Sequence, residues 1–315
     1  MIKKCIGCGV VLQDTSESSL GYVKDIKKMD YCMRCFKLKN YNESSTLTPN
    51  YKNLELVELI NVQFNKCVFL VDILNISSEV INVFKKISIP KILVISKLDI
   101  IPKSIKINDI IKRIRLVYQL DCDIITISSL KSININLIRK FIGNDKSCIT
   151  GFTNSGKSSL INTLVNDNRV LISKNVNTTL DFIRIDCDDF VLYDTPGFRY
   201  EHTYLDENKL TNLTIVNLIK PAIYQLKPNS GIMLGEIVLF NNSDALTNLT
   251  LYTNNYLPIK KIFKKPDGNY LNMKLKNQDI VIKTVGFIST RNAPDLDISK
   301  LEELIEVRET LFKVM

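Results

Sequence analysis

Between residues 66 and 195, short apolar runs alternate with stretches in which Ile, Leu and Val recur at helical spacing. The runs 66–73, 91–95, 123–128, 147–152, 182–186 and 190–194 predict strands, and the stretches near 77–88, 106–120, 133–142 and 157–165 predict helices between them. Strands joined by helical crossovers make a mostly parallel sheet with helices on both faces, and ligands on such sheets bind at the carboxyl ends of the strands. After about residue 215 the pattern changes to short runs separated by turns. Runs 231–239, 249–253, 257–263 and 279–289 predict strands, with Pro266-Asp-Gly-Asn269 as a hairpin turn. A closing helix is expected from about 299, where Ser299 and Glu302 form a capping box ahead of Leu301, Leu304, Ile305 and Leu311.

Composition adds a globular class, with 45% hydrophobic and 24% charged residues in 315. No stretch reaches the eighteen or so apolar residues of a membrane helix, and 67–74, among the longest candidates, contains Asp72. Lys3, Lys4 and Cys5 are not followed by an apolar signal segment, so we expect a reducing, cytoplasmic setting and no membrane association. A transit peptide already removed would leave an organelle open. The net charge is +9 and uneven: residues 1–40 contribute +4 and 250–290 contribute +5, while the middle is nearly neutral. A polyanionic partner at the two ends is implied.

Four of the eight cysteines fall in two pairs, Cys5-Ile-Gly-Cys8 and Cys32-Met-Arg-Cys35, with 23 residues between them. Two such pairs supply four thiolates for a tetrahedral Zn²⁺ site; disulfides or incidental cysteines are the alternative. Cys67, Cys122, Cys148 and Cys187 stand alone in or beside apolar runs and read as small core residues.

After the strand 147–152 comes Gly151-Phe-Thr-Asn-Ser-Gly156-Lys157-Ser158, a complete GxxxxGK[ST] loop opening a helix. Glycines let backbone N–H groups from Asn154 to Ser159 wrap phosphates, Lys157 reaches the β and γ oxygens, and the Ser158 hydroxyl ligates Mg²⁺. Asp194-Thr-Pro-Gly197 ends the strand 190–194; its carboxylate would hold the Mg²⁺ through water and the Gly197 N–H would sense the γ-phosphate. Between them Asn177-Thr178-Thr179 lies in a polar run, and Thr179 is expected as a further Mg²⁺ ligand on spacing alone, an ordinary loop threonine being the alternative. Ser96-Lys97-Leu98-Asp99 ends the strand 91–95, where Asp99 can accept from both N1–H and the N2 amino group of guanine while the Lys97 stem lies over the base. Ser128-Ser129-Leu130, ending the next strand, can offer a backbone N–H to guanine O6. These four elements together, each at a strand end, point to GTP and GDP.

Their order is unusual. The base-reading motifs precede the phosphate loop, which implies a circularly permuted domain whose chain exits just after Asp194–Gly197. A Ras-like enzyme carries Gln right after this motif to orient water; here Phe198 stands there, so slow turnover is expected. Asn154 occupies the place from which some such enzymes coordinate K⁺, or it simply stabilises the loop, and we expect it to matter to catalysis along with Lys157, Thr179 and Gly197. His202 reads as a solvated loop residue.

The four-cysteine pairs followed by SKLD, SSL, GFTNSGKS, NTTLD, DTPG and a C-terminal extension resemble the YqeH family of circularly permuted GTPases over essentially the whole chain. The resemblance implies an α/β fold in three parts: a zinc finger at 1–45, a permuted P-loop GTPase domain at 46–215, and a β-rich domain at 216–315 ending in the helix above. It also implies assembly of the small (30S) ribosomal subunit or its precursor through rRNA. Ser96 departs from the usual Asn of the base-reading motif, and Asn177 from the glycine usual before the paired threonines. Ile259-Lys-Lys-Ile-Phe-Lys-Lys265 then becomes a candidate RNA surface through Lys260, Lys261, Lys264 and Lys265, with Tyr252, Tyr256 and Tyr270 as stacking faces. A lysine-rich face protecting a sheet edge is the alternative. The expectation is a monomeric GTPase switch. The competing readings are an RNA-binding factor holding GTP as a structural ligand and, more remotely, a zinc-ribbon DNA-binding ATPase.

Overall fold

The structure is a computed structural model describing residues 3, 5, 11–15, 21–33, 52–166, 171–174, 182–187, 189–201, 220–253, 257–291, 293–299 and 304–312. It contains two compact units: Met1–Asp72, Asn82–Leu98 and Cys122–Arg199 form one, and Ile73–Ile81, Asp99–Asp121 and Tyr200–Met315 the other. The described helices are α1 (Asn53–Gln63), α2 (Ser78–Lys86), α3 (Ile107–Tyr118), α4 (Ile135–Ile142) and α5 (Lys157–Asn166). None of them is long and apolar enough to cross a membrane.

The first unit is built on a seven-stranded sheet of β1 (Lys66–Asp72), β2 (Lys91–Ser96), β3 (Ile124–Thr126), β4 (Ser147–Gly151), β5 (Leu171–Lys174), β6 (Ile183–Asp186) and β7 (Val191–Asp194). The order is β3-β2-β1-β4-β7-β6-β5. From β3 to β7 the strands are parallel; β6 runs antiparallel to both of its neighbours, β7 and β5. β1, β2 and β4 are buried along nearly their whole length, which is why they read as unbroken apolar runs rather than alternating ones. Val68, Leu70, Val94, Ile149 and Leu192 of the sheet pack with Ile138 and Ile142 of α4 and Leu160 and Leu164 of α5. The helices bury residues at the expected spacing, as in Ile135, Ile138 and Ile142.

This sheet shows the permutation directly. The chain runs outward through β1, β2 and β3, then returns by α4 across β2 and β1 to place β4, the phosphate-loop strand, beside β1 near the centre. The expected strands and helices of this region are present with shifts of a few residues at their ends. Helix α1 was not expected, although Leu56, Val57 and Ile60, its buried face, have helical spacing. Cys67 and Cys148 face each other across β1 and β4, fully buried, and burial pushes the Cys148 thiol up, as suits core residues.

The second unit contains two antiparallel five-stranded sheets. One has the order β12-β9-β10-β16-β13 and the other β17-β14-β15-β11-β8, formed by β8 (Ala222–Leu226), β9 (Ser230–Leu234), β10 (Ile237–Asn241), β11 (Thr247–Thr253), β12 (Ile259–Ile262), β13 (Tyr270–Leu275), β14 (Gln278–Ile282), β15 (Gly286–Thr290), β16 (Ala293–Ser299) and β17 (Ile305–Glu309). Ile232, Leu239, Leu296 and Ile298 of the first sheet share one core with Leu249, Leu251, Ile280 and Ile288 of the second.

Three expectations are corrected here. The expected closing helix is instead strand β17, and Ser299 ends β16, its hydroxyl accepting the Val238 N–H at 2.8 Å rather than capping a helix. Strand pairing wins because β14 lies alongside β17 over its whole length, from Ile305 opposite Ile282 to Glu309 opposite Gln278. Ile305 and Val307 pack on the core, while Glu306 accepts the Ser78 N–H at 2.8 Å and Arg308 is buried against Asp279. Runs 231–239 and 279–289 each fold as two strands with a tight turn at positions that adopt positive φ, Gly235 and Thr284. The turn at Pro266–Asn269 joins β12 and β13, which lie at opposite edges of their sheet, so it is not a hairpin.

Candidate functional site

Within the first unit, the described residues of the expected nucleotide motifs stand at the carboxyl ends of β2, β3, β4 and β7. Gly151 closes β4 so tightly against β1 that a Cβ there would lie 2.4 Å from the Leu70 carbonyl, and Gly156 adopts φ +89 before α5 begins at Lys157. Within the loop the Ser155 hydroxyl is buried and has no hydrogen-bond partner among the described residues, a donor that a phosphate oxygen would satisfy. The half-buried Ser158 lies in the first turn of α5, where unpaired backbone N–H groups favour anions. Asn154 is exposed with φ +63.

The Lys157 ammonium pairs with the Asp194 carboxylate and also reaches the Thr195 carbonyl at 2.7 Å. Asp194 is buried at the end of β7, so a carboxylate of the kind hard cations take stands beside the phosphate-loop lysine. The donor set fits Mg²⁺ with nucleotide: Asp194 and Ser158 offer oxygen atoms of the kind this cation takes, beside a loop shaped for an anion. Thr179, Asn177 and His202 lie outside the described residues.

Beyond Asp194 the chain is clipped onto the phosphate loop. Phe198 donates its N–H to the Gly151 carbonyl and its own carbonyl accepts from Thr153 N–H, both at 2.9 Å. Its ring is fully buried, stacked on Phe69 at 5.7 Å and packed against Phe152. The side chain after Gly197 is therefore turned into the core, away from any water it might have oriented. Asn53, opening α1, brackets the next residue: its amide donates to the Arg199 carbonyl at 2.7 Å and accepts the Arg199 N–H at 3.0 Å.

On the base-reading side Ser96 does what its hydroxyl can reach. It donates to the Ser155 carbonyl in the phosphate loop, with the Val71 carbonyl also at 3.3 Å, so the short side chain still ties the two motifs together. Lys97 has φ +61, and Leu98 donates its N–H to the Ile127 carbonyl at 3.0 Å, joining SKLD to the loop after β3. Asp99 sits half-buried in a 3₁₀ turn, Leu98–Ile100, directly after that strand end. Ser128 is buried and its hydroxyl accepts the Lys131 N–H at 3.1 Å; Thr163 of α5 lies 3.4 Å from the Ser129 carbonyl, and Leu130 is exposed. Asp72, an acid closing a mainly apolar strand at the end of β1, is not among the expected site residues but pairs with Lys97.

Among the zinc candidates, Cys5 and Cys32 come together in a small cluster with Leu12 and Val23, and the Cys32 N–H donates to the Cys5 sulfur at 3.1 Å. Cys8 and Cys35 lie outside the described residues. Among those described, no three His, Cys, Asp or Glu side chains group as a metal site.

In the lysine-rich segment, Lys260 and Lys261 are exposed on β12, an edge strand, and Lys264 and Phe263 follow them, Phe263 at 79% exposure. Lys265 is engaged with Asp297 at 2.8 Å and lies 5.1 Å from the Tyr270 ring centre. Burial works against the Asp297 carboxylate, but hydrogen bonds from Lys265, Asn272 and Asn242 outweigh it and hold its pKa below the ordinary range. Tyr252 is not the expected stacking face. It is buried against Phe287 at 4.8 Å, and burial pushes its phenol up to about 12. Tyr256 lies outside the described residues.

Residues 146–238 match the family described as 50S ribosome-binding GTPase. YqeH of Bacillus subtilis (strain 168), described as uncharacterized, is 30% identical over 260 residues, which is 75% of this chain and 71% of that protein. The tRNA modification GTPase MnmE of Mesomycoplasma hyopneumoniae (strain 7448) is 45% identical over 58 residues, 17% of this chain and 13% of that one. Among solved structures, YjeQ from Thermotoga maritima aligns over 43% of this chain and 48% of its own with 20% identity and a TM-score of 0.32. GNP-bound YlqF from T. maritima aligns over 48% and 60% with 18% identity and a TM-score of 0.31. The chain thus spans about half to three fifths of the length of these solved structures. With identity to YqeH sustained over most of both chains, and with the base-reading strands placed ahead of the phosphate-loop strand in one sheet, this protein belongs to the YqeH family and is a GTPase with a circularly permuted G domain.

Proposed function

We propose that the protein is a GTP-controlled assembly factor of the small ribosomal subunit that binds rRNA through its C-terminal domain, acting as a cytoplasmic monomer. The observation that carries this reading is the exposed edge strand β12 with Lys260, Lys261, Phe263 and Lys264, in a β domain that follows the Asp194–Gly197 motif in the chain. Permutation makes that motif the exit of the G domain, so whatever follows is linked through the chain to the segment that senses the γ-phosphate. The matched family's description names the 50S subunit, but the match spans only residues 146–238, the phosphate-loop part and the beginning of the β domain.

In this reading Asn154 to Ser159 cradle the phosphates, Lys157 holds the β and γ oxygens, and Ser158, Asp194 and Thr179 hold Mg²⁺. The Mg²⁺, when bound, neutralises charge developing on the transferred phosphoryl group. Ser96, Lys97 and Asp99, with Ser128 to Leu130, hold the base. Cys5, Cys8, Cys32 and Cys35 hold a structural Zn²⁺ in the finger at 1–45, supported by the Cys32 N–H on the Cys5 sulfur; elemental analysis should find one zinc per chain.

Because Phe198 is buried, its side chain cannot position the attacking water, and turnover is expected to be slow. Asn154 is exposed on the loop, where it is free to help hold K⁺. Turnover measured in KCl should exceed that in NaCl several-fold, and the difference should vanish in Asn154→Ala; equal rates in both salts would sink the cation role.

The subunit assignment is tested by co-sedimentation with 30S and 50S subunits under GDP and a non-hydrolysable GTP analogue. Nucleotide-dependent binding to 30S is expected; binding to 50S alone, or none, would overturn it. Replacing Lys260, Lys261 and Lys264 by Ala should weaken binding and reduce the slope of log K against log salt by about 2, at roughly 0.7 per single-strand phosphate contact. GTP binding should be retained.

A further inference from the structure

We propose that Asp72 is a positioning residue of the nucleotide site: its carboxylate holds the Lys97 ammonium and thereby fixes the lysine stem on which the base lies. The inference rests on reading Lys97 as that platform. The Lys97 Nζ lies 2.6 Å from Asp72 Oδ2. Asp72 is 5% exposed, and in the parallel register of β1 and β2 it stands beside Ser96, one residue before Lys97.

Three consecutive residues of β1 each touch a nucleotide motif. The Leu70 carbonyl sits where a Cβ on Gly151 would have to be, the Val71 carbonyl lies 3.3 Å from the Ser96 hydroxyl, and Asp72 takes the Lys97 ammonium. Lys97 has φ +61, a conformation that a lysine adopts at a cost, so the surrounding contacts must hold it there. A lysine stem left free would sample many rotamers, and ordering it would count against nucleotide binding. A charge-assisted hydrogen bond from a buried carboxylate removes that freedom beforehand. Asp72 would thus act without touching the base or the phosphates.

A double-mutant cycle on the full-length protein tests this. Asp72→Asn should raise the Kd for GDP about 10-fold, within the range by which contacting charged side chains couple. GDP should dissociate faster, and KM for GTP should rise by a larger factor than kcat falls. In a Lys97→Met background the same Asp72→Asn change should shift the GDP Kd less than 2-fold, and Asp72→Glu in the native background should recover part of the loss.

An undiminished effect of Asp72→Asn in the Lys97→Met background would overturn the proposal, since Asp72 would then act through something else. A Lys97→Met variant with native GDP affinity would overturn the reading of Lys97 itself, and the role of Asp72 with it. Should Asp72→Asn fail to fold by circular dichroism, the cycle is repeated with Asp72→Ser; failure of both would make Asp72 a purely structural residue and reject the proposal.

Discussion

A chain carrying Asp99→Asn should bind xanthosine diphosphate in preference to GDP, with the ratio of the two dissociation constants shifted by about 10⁴-fold, the scale on which a site built around buried hydrogen bonds rejects a mismatched partner. Guanine presents N1–H and the N2 amino group side by side, and a carboxylate accepts from both. An Asn offers an N–H where the carboxylate offered an acceptor, so it faces the N2 amino group donor to donor but pairs with the carbonyl that xanthine has there. Asp99 is half-buried in the short turn that follows β2. Competition of GDP and XDP against a fluorescent guanine nucleotide measures the ratio. An unchanged ratio would remove Asp99 from the base site and reopen the question of which nucleotide is preferred. If Asp99 is the residue that reads the base edge, as proposed, and Asp72 acts only on the lysine platform, Asp72→Asn should leave the GDP to XDP ratio alone while weakening both.

The second large effect is on stability. Arg308→Met should destabilise the β-rich unit by about 3–5 kcal/mol, the usual cost of stranding one partner of a buried ion pair. Arg308 and Asp279 are paired at 3.4 Å with side chains only 2% and 0% exposed. The guanidinium also donates to the Ile76 carbonyl and lies over the Phe287 ring, while the Asp279 carboxylate accepts the Leu311 N–H at 3.0 Å. Remove the arginine and, among the described residues, Asp279 keeps the Leu311 N–H and no ion-pair partner. The chain contains no Trp, so urea unfolding is best followed by far-UV circular dichroism, where the midpoint of this unit should fall by roughly 2 M at an m-value near 2 kcal/mol/M. Replacing both partners at once, as Arg308→Met with Asp279→Leu, should recover much of the loss, because an apolar pair leaves no buried charge behind. A midpoint unchanged in Arg308→Met would mean that the pair contributes no net stability.

Much of the first unit was legible in the chain. Its strands are short apolar runs because both faces of the sheet are covered, and its motifs sit at strand ends because that is where backbone groups are free to meet a ligand. The β-rich unit was read less well. The runs at 231–239 and 279–289 hide tight turns, since a residue such as Thr284 at positive φ announces nothing in composition. Leu301, Leu304, Ile305 and Leu311 have helical spacing, yet 305–309 is a strand, because β14 lies alongside it and Asp279 is waiting for Arg308. Local periodicity loses where a neighbour from far along the chain supplies both the hydrogen bonds and the countercharge.

At the site the division is similar. The amino-acid sequence already carried the motifs: a glycine-rich loop with Lys157 and Ser158, the acids Asp194 and Asp99 at strand ends, and the inverted order of these elements that makes the domain permuted. It also determined that no glutamine follows Gly197. Only the tertiary structure decided that Phe198 is sealed against Phe69 and Phe152, that Ser96 reaches the phosphate loop despite being shorter than Asn, and that Asp72 holds Lys97. It likewise sent Tyr252 into the core and left Phe263 outside. The physical reason is range. Motif chemistry is carried by residue types a few positions apart on one chain segment, whereas the contacts that aim, tether or bury those residues join strands separated by tens of residues, and such pairings exist only once the sheet has chosen its neighbours.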